Sequence, residues 1–370
     1  MYLSRLVLTH FKNYSSQTVP FVEGVNGIVG PNGMGKTNLL DAVYFLCMSK
    51  SRFTTSDRLL IQHEADFFRL EGDFVRDGKA EKVVAKLARG RKKELERDGA
   101  PYERISEHVG RYPVVMIAPD DTQLAMEGSE ERRRFIDNTL SQIDPAYLAH
   151  LITYNHILRQ RNAYLKQSAD LHQSPDEGLL LAYDAQLAAP AAPVFETRKA
   201  FISRFAPLFQ AHYAAISGCA EQVDCEFRSQ LLERPLEDWL LDQREKDRIL
   251  QRTNAGPHKD DLELRIDDYP VKQFASQGQL KSFVLAMKLA QYELLRNETG
   301  QHPILLLDDL FAKLDRHRVE HLMTWIVERP FGQVLISDTE LDRLSGIVRA
   351  RTSDCRFFEV NKGTVSTSDK

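Results

Sequence analysis

Gly30-Pro31-Asn32-Gly33-Met34-Gly35-Lys36-Thr37 follows an apolar stretch ending in Ile28-Val29 and runs straight into another, Leu39 to Met48. The pattern is G-x-x-x-x-G-K-[ST] set between a strand and a helix. Its glycines let the backbone fold tightly around an anion, and the loop amides and helix N-terminus point at that anion. Lys36 is placed to reach β- and γ-phosphates, and Thr37 to ligate Mg²⁺. Gly30, Pro31, Asn32, Gly33, Met34, Gly35, Lys36 and Thr37 are therefore expected to cradle a nucleoside triphosphate. The flanking strand and helix argue against a chance glycine-rich turn.

Two downstream segments narrow the class. Ile304-Leu305-Leu306-Leu307-Asp308-Asp309 is a short apolar run ending in paired carboxylates. Such runs read as parallel strands buried on both faces. A carboxylate at the C-terminal edge of one lies at the ligand-binding edge of an open α/β sheet. Asp308 is expected to act as a Walker-B residue for Mg²⁺, and Asp309 as the catalytic carboxylate. Ser276-Gln277-Gly278-Gln279 precedes a helix from Leu280 to Leu295 and resembles the S-x-G-Q signature of ABC-type ATPases. The plainer reading is a helix cap, since Ser is common before helices. Its position ahead of the Walker-B strand, with Leu314-Asp315 beyond as a D-loop-like segment, favours a second nucleotide contact through Ser276, Gly278 and Gln279. In ABC-type heads this signature caps ATP held by another subunit. One set of parts per chain then requires an ATP-dependent homodimer.

Composition sets outer limits. The chain has 370 residues, 42% hydrophobic and 28% charged, which fits two or three globular domains. A net charge of −4 means that any nucleic-acid contact must come from a local basic patch. Cys47, Cys219, Cys225 and Cys355 lack metal-ligand or redox-pair spacing and read as reduced thiols, which suits a cytoplasmic protein. The sequence shows neither a signal-like apolar segment at Met1 nor a membrane-length apolar run.

The expected fold is α/β: an ABC/SMC-head-like P-loop ATPase domain carrying an inserted, mostly helical lobe. Residues 1–118 form its first part, with alternating strands at Leu3–Thr9, Phe67–Val75 and Val83–Leu87, an Asp98-Gly99 hairpin turn and a buried strand Val114–Ile117. Residues 119–253 form the lobe. Helices are expected at Glu130–Ile143, Tyr147–Lys166, Leu179–Leu187, Val194–Ile216 and Leu236–Gln251, with Pro190 and Pro193 as a break. Residues 254–370 return to α/β, with strands Leu262–Ile266 and Gln333–Ser337 and a helix Arg318–Val327. The 240 residues between Lys36 and Ser276 are too few and too often broken by proline for a long coiled coil.

Several segments, in order and spanning nearly the whole chain, resemble the RecF family. They are Leu6 to Tyr14, Arg132-Arg133-Arg134-Phe135-Ile136-Asp137, the stretch Tyr154–Lys166 with Gln160-Arg161-Asn162, Gly256-Pro257-His258-Lys259-Asp260-Asp261, the signature and the Walker-B strand. The resemblance implies recombinational repair and replication maintenance, with slow ATP hydrolysis. It implies binding to double-stranded and gapped DNA, and RecR, RecO, RecA and single-strand-binding protein as partners in loading RecA on single strands. An SMC-like clamp acting mainly through proteins is the alternative; a transporter ATPase subunit is disfavoured by the insertion.

Individual residues carry further expectations. Lys12 and Asn13 match residues that approach the nucleotide in related heads; a solvated strand end is the alternative. Arg89, Arg91, Lys92 and Lys93 form a basic hairpin without aromatic neighbours in sequence, which favours DNA backbone contact over base stacking, against a merely solvated turn. Arg132, Arg133 and Arg134 cannot all face one way on a helix. At least one is expected in a structural ion pair, and another could touch DNA or ATP. His258 lacks a companion ligand for zinc. Asp309 stands where ABC proteins usually carry Glu, and Thr339 where they carry a switch His. Gln123 is a candidate Q-loop residue.

Overall fold

The helix that follows the phosphate loop, Lys36–Met48, is buried from Leu39 onward on every side. A helix apolar all round must lie within a core rather than on it. The computed structural model, which describes residues 1–218, 221–309 and 331–368, places this helix in a core that draws on two sheets. One sheet supplies Leu6, Leu8, Phe11, Phe68 and Phe74; the other supplies Val114, Ile304, Leu306, Leu335 and Phe358.

The first sheet is antiparallel, in the order Tyr14–Pro20, Tyr2–Phe11, Phe67–Arg76, Lys79–Ala88, Glu94–Arg97, Ala100–Pro101. The Asp98-Gly99 turn closes its last hairpin with both residues at positive φ, as a two-residue turn matched to strand twist requires. The second sheet runs Thr364–Ser368, Cys355–Asn361, Val25–Val29, Val334–Asp338, Ile304–Leu307, Val114–Ile117. Its strands are parallel except the antiparallel C-terminal pair. Val25–Val29 and Ile304–Leu307 are not neighbours. Val334–Asp338 lies between them, in register Val334 to Val25 and Leu305 to Val334.

The chain divides into two compact units, Met1–Asp121 with Leu285–Lys370, and Thr122–Val284. The second boundary differs from the expected return at residue 254. Strand Asp261–Ile266 pairs antiparallel with Val223–Arg228 of the lobe, which keeps this stretch in the second unit. Helices of that unit include Ser129–Ile143, Pro145–Asp170, Glu177–Ser217, Leu236–Asp242 and Arg244–Leu250. Two expectations are corrected there. The proline break does not exist: Glu177–Ser217 is one helix of 41 residues containing Pro190, Pro193 and Pro207. A proline inside a helix costs roughly 3 kcal/mol. Burial of Leu187, Ala191 and Val194 on the same stretch offsets that cost. The expected helix Leu236–Gln251 is instead two short helices that meet at Gln243. Leu314-Asp315 and Arg318–Val327 fall outside the described residues. Among those described, no helix is long and apolar enough to cross a membrane.

Candidate nucleotide site

The loop Gly30–Thr37, Asp308, Asp309 and Thr339 all lie in the first unit. Lys36 is 6% exposed, and its Nζ donates to the carbonyls of Gly30 at 2.7 Å and Pro31 at 3.1 Å. The ammonium thus arches over the loop that precedes it. Thr37 Oγ1 donates to the Asp308 carboxylate, 2.8 Å from Oδ2 and 3.0 Å from Oδ1. These residues are 271 positions apart in sequence and follow strands, Val25–Val29 and Ile304–Leu307, that a third strand separates. Burial pushes the Asp308 carboxyl above the usual carboxylate range, while hydrogen bonds from Ser337 and Thr37 pull it back.

Ser337, which sequence reasoning overlooked, ties the Asp308 carboxylate to the Asp309 backbone. Its Oγ donates to Asp308 Oδ1 at 2.7 Å and accepts from the Asp309 N–H at 2.8 Å. Asp309 has φ +47, an uncommon conformation for a residue with a side chain. Its Oδ1 is buried and lacks a hydrogen-bond partner among the described residues. A buried polar atom left unsatisfied calls for an explanation, a catalytic role being one. Thr339 follows the strand Val334–Asp338, and its N–H donates to Asp338 Oδ1. Arg343, also missed, pairs with the same carboxylate.

Thr37 and Asp308 form a hydroxyl–carboxylate pair of hard oxygen donors. Among the described residues, no group of three or more His, Cys, Asp or Glu could hold a metal ion by itself. That combination fits Mg²⁺, which keeps several waters and takes the rest of its shell from substrate phosphates. Lys12, expected to approach the nucleotide, has its Nζ 2.6 Å from Asp41.

The signature lies in the second unit as a reciprocal cap. The Gln279 N–H donates to Ser276 Oγ at 3.2 Å, and the Ser276 N–H donates to Gln279 Oε1 at 2.7 Å. This is a capping box opening the helix Gln277–Thr299. Gln279 Nε2 also donates to Glu221. Gln123 starts a short helix, Gln123–Met126, in the same unit.

The resembling motifs of the lobe form one interlocked set. Arg132 pairs with Asp261, Arg133 donates to the Asp260 carbonyl, and Arg134 pairs with Glu130 and Glu131. Arg198, 2% exposed, binds Asp137, Asp260 and the Pro257 carbonyl. Arg161 is fully buried on Asp184, Asp247 and Thr253. His258 is held between the Tyr154 hydroxyl at 2.6 Å and the Thr253 carbonyl at 3.0 Å. Burial lowers its pKa to about 4. A neutral ring donating from Nε2 and accepting at Nδ1 satisfies both contacts.

The family model of the RecF/RecN/SMC N terminal domain matches residues 2–347. The DNA replication and repair protein RecF of Flavobacterium johnsoniae is 42% identical over 97% of this chain and 100% of its own length. The chain belongs to the RecF family. The RecF protein of Cytophaga hutchinsonii is 43% identical over 100% of this chain and 97% of its own. A solved structure of the recombination mediator protein RecF with ATP, in the RecFOR pathway, matches with TM-score 0.88 at 27% identity, covering 99% of this chain and 97% of the other. An SMC head bound to the C-winged helix domain of ScpA shares the fold alone, at TM-score 0.57 and 15% identity. RecF membership and the α/β ATPase-head fold thus agree with the motifs.

The basic hairpin is divided. Arg91 and Lys92 are exposed in the turn between Lys79–Ala88 and Glu94–Arg97. Arg89 is exposed too, with Nε donating to the Ala65 carbonyl. Lys93 is occupied: it pairs with Asp57 at 2.6 Å and lies 5.1 Å from the centre of the Phe45 ring. Lys93 thus has an aromatic partner in space, one distant in sequence.

Proposed function

We propose that this RecF-family chain is an ATP-switched DNA-binding protein of replication and recombinational repair. The observation that carries the reading is Thr37 Oγ1 against Asp308, the hydroxyl and carboxylate expected to hold Mg²⁺, brought together from opposite ends of the sequence. In this reading the loop from Gly30 to Thr37 binds the triphosphate of ATP. Lys36 leaves the Gly30 and Pro31 carbonyls to reach the β- and γ-phosphates. Asp309 orients and deprotonates the attacking water. The RecF–ATP structure of the relative supports the nucleotide assignment.

Ser276, Gly278 and Gln279 are proposed to cap the ATP of a second copy. The Ser276 hydroxyl accepts from Gln279, which leaves its proton for a phosphate oxygen. Tyr269 and Phe274, 58% and 59% exposed just ahead of Ser276, give that segment apolar surface suited to a protein contact. Ser276→Arg should retain ATP binding by the monomer and lose dimerisation. Sedimentation with and without ATP tests it, with the affinity for a second copy expected to fall at least about tenfold. Normal dimers in the variant would remove the signature from the interface.

DNA contact is assigned to Arg89, Arg91 and Lys92, with double-stranded and gapped DNA as ligands and the phosphate backbone as the recognised feature. Lys93 is dropped from the test because its loss would disturb Asp57. Arg91→Glu with Lys92→Glu should flatten the slope of log affinity against log salt by roughly 0.9 for each DNA phosphate no longer neutralised. An unchanged slope would place the DNA surface elsewhere. RecR, RecO, RecA and single-strand-binding protein are the partners this reading implies, in the cytoplasm. Binding to duplex, single-stranded and gapped DNA with and without ATP tests the whole; ATP-independent binding would overturn the switch.

A further inference from the structure

We infer that Asn13, Tyr14 and Gly363 are positioning residues that aim the amides of the phosphate loop at the nucleotide. The proposal rests on the phosphate-loop reading above and adds what sets the loop's shape. The Met34 carbonyl accepts from Asn13 Nδ2 at 3.0 Å and from the Gly363 N–H at 3.1 Å. The Gly35 carbonyl accepts from the Tyr14 hydroxyl at 2.9 Å, in addition to the Leu39 N–H of the helix. Asn13 is itself fixed, its Oδ1 accepting from Asn38 at 2.7 Å.

The consequence follows from peptide geometry. In a trans peptide the C=O of one residue and the N–H of the next point in opposite directions. Holding the Met34 carbonyl toward Asn13 and Gly363 turns the Gly35 N–H the other way. Holding the Gly35 carbonyl toward Tyr14 does the same for the Lys36 N–H. Two consecutive amides are thereby oriented as one anion-binding concavity before any ligand arrives. Such preorganisation lowers the ordering cost of binding.

The two glycines in this contact are required by distance. A Cβ on Gly35, at φ +118, would lie 2.4 Å from Asn13 Nδ2. A Cβ on Gly363, at φ +77, would lie 2.2 Å from the Asn13 carbonyl oxygen. Gly363 closes the hairpin between Cys355–Asn361 and Thr364–Ser368, so the last strands of the chain buttress the loop that begins at residue 30. Asn13 is thus assigned to the loop backbone rather than to the nucleotide itself.

The test compares ATP with inorganic tripolyphosphate, both with Mg²⁺, by calorimetric titration of the full chain. The variants are Tyr14→Phe, Asn13→Ala and Gly363→Ala, with thermal melting as a check on folding. Each should weaken both ligands by the same factor, about tenfold for the loss of one hydrogen bond to the loop. Tyr14→Phe keeps the buried ring and serves as the variant safest for folding. Loss confined to ATP would make Asn13 a nucleoside contact and overturn the proposal, as would wild-type affinity for both ligands in Tyr14→Phe and Asn13→Ala. Failure of the unaltered chain to bind either ligand would instead overturn the phosphate-loop reading itself.

Discussion

Lys36→Met is expected to weaken ATP binding about a hundredfold while leaving the fold intact. The Lys36 Nζ lies against the Gly30 and Pro31 carbonyls, at the mouth of the loop. Hydrogen bonds from a charged donor contribute roughly 1.5–3 kcal/mol each, and the loss of one or two gives a factor of that size. The backbone amides cannot replace the cation, because they supply partial charges rather than a full one. Methionine keeps the unbranched apolar stem, one atom shorter, of a side chain that is almost fully buried. Near-ultraviolet circular dichroism should therefore match the unaltered protein. The proposed ATP-dependent dimer should vanish with the nucleotide, since a dimer held by ATP is linked to ATP occupancy. Calorimetric titration reads the affinity directly. Undiminished binding would mean that the loop does not hold the triphosphate.

The strand–loop–helix phosphate site was legible because each of its parts is contiguous in sequence. The Walker-B strand was legible for a related reason: a fully apolar run marks a strand buried on both faces. The bonds that join these parts were not. Ser337 lies in a strand whose sequence carries no mark of its link to both Asp308 and Asp309. Gly363 belongs to a hairpin turn that pattern reading passed over, and its role comes from a contact with residues near position 13. Side-chain fate was least legible of all. Of Arg132, Arg133 and Arg134 at least one was expected in a structural ion pair and another was open to DNA or ATP, and all three are engaged within the lobe. Their carboxylate and carbonyl partners include Asp260 and Asp261, more than a hundred residues away. The long helix failed for the opposite cause. Local proline chemistry argued for a break at Pro190, and tertiary packing overrode it.

Asp309→Asn is expected to lower single-turnover ATP hydrolysis by about two to four orders of magnitude, with ATP affinity nearly unchanged. The range is that of a lost general base. The amide is isosteric with the carboxylate but cannot accept the proton of the attacking water. Affinity persists because Thr37, Asp308 and the loop are untouched, and because the Asp309 backbone N–H keeps its bond to Ser337. Asp309 Oδ1, buried at the end of the Walker-B strand and without a partner among the described residues, would be the atom that takes that water in the proposed reading. Even in the unaltered protein the step should be slow. Asp is one methylene shorter than the Glu usual at this position, which sets its carboxylate about 1.5 Å further back. Misplacement on that scale can cost roughly a hundredfold. Thr339 adds no positive charge to the transition state, and the nearby cation Arg343 is already paired with Asp338. In the proposed reading chemistry would lag binding, so an ATP dimer would persist on DNA until hydrolysis releases it. In Asp309→Asn the release fails: the dimer should form normally and dissociate from DNA far more slowly. Hydrolysis and DNA dissociation measured side by side decide the matter. Unchanged turnover in Asp309→Asn would remove Asp309 from the chemistry, and rapid turnover in the unaltered protein would remove ATP as the timer.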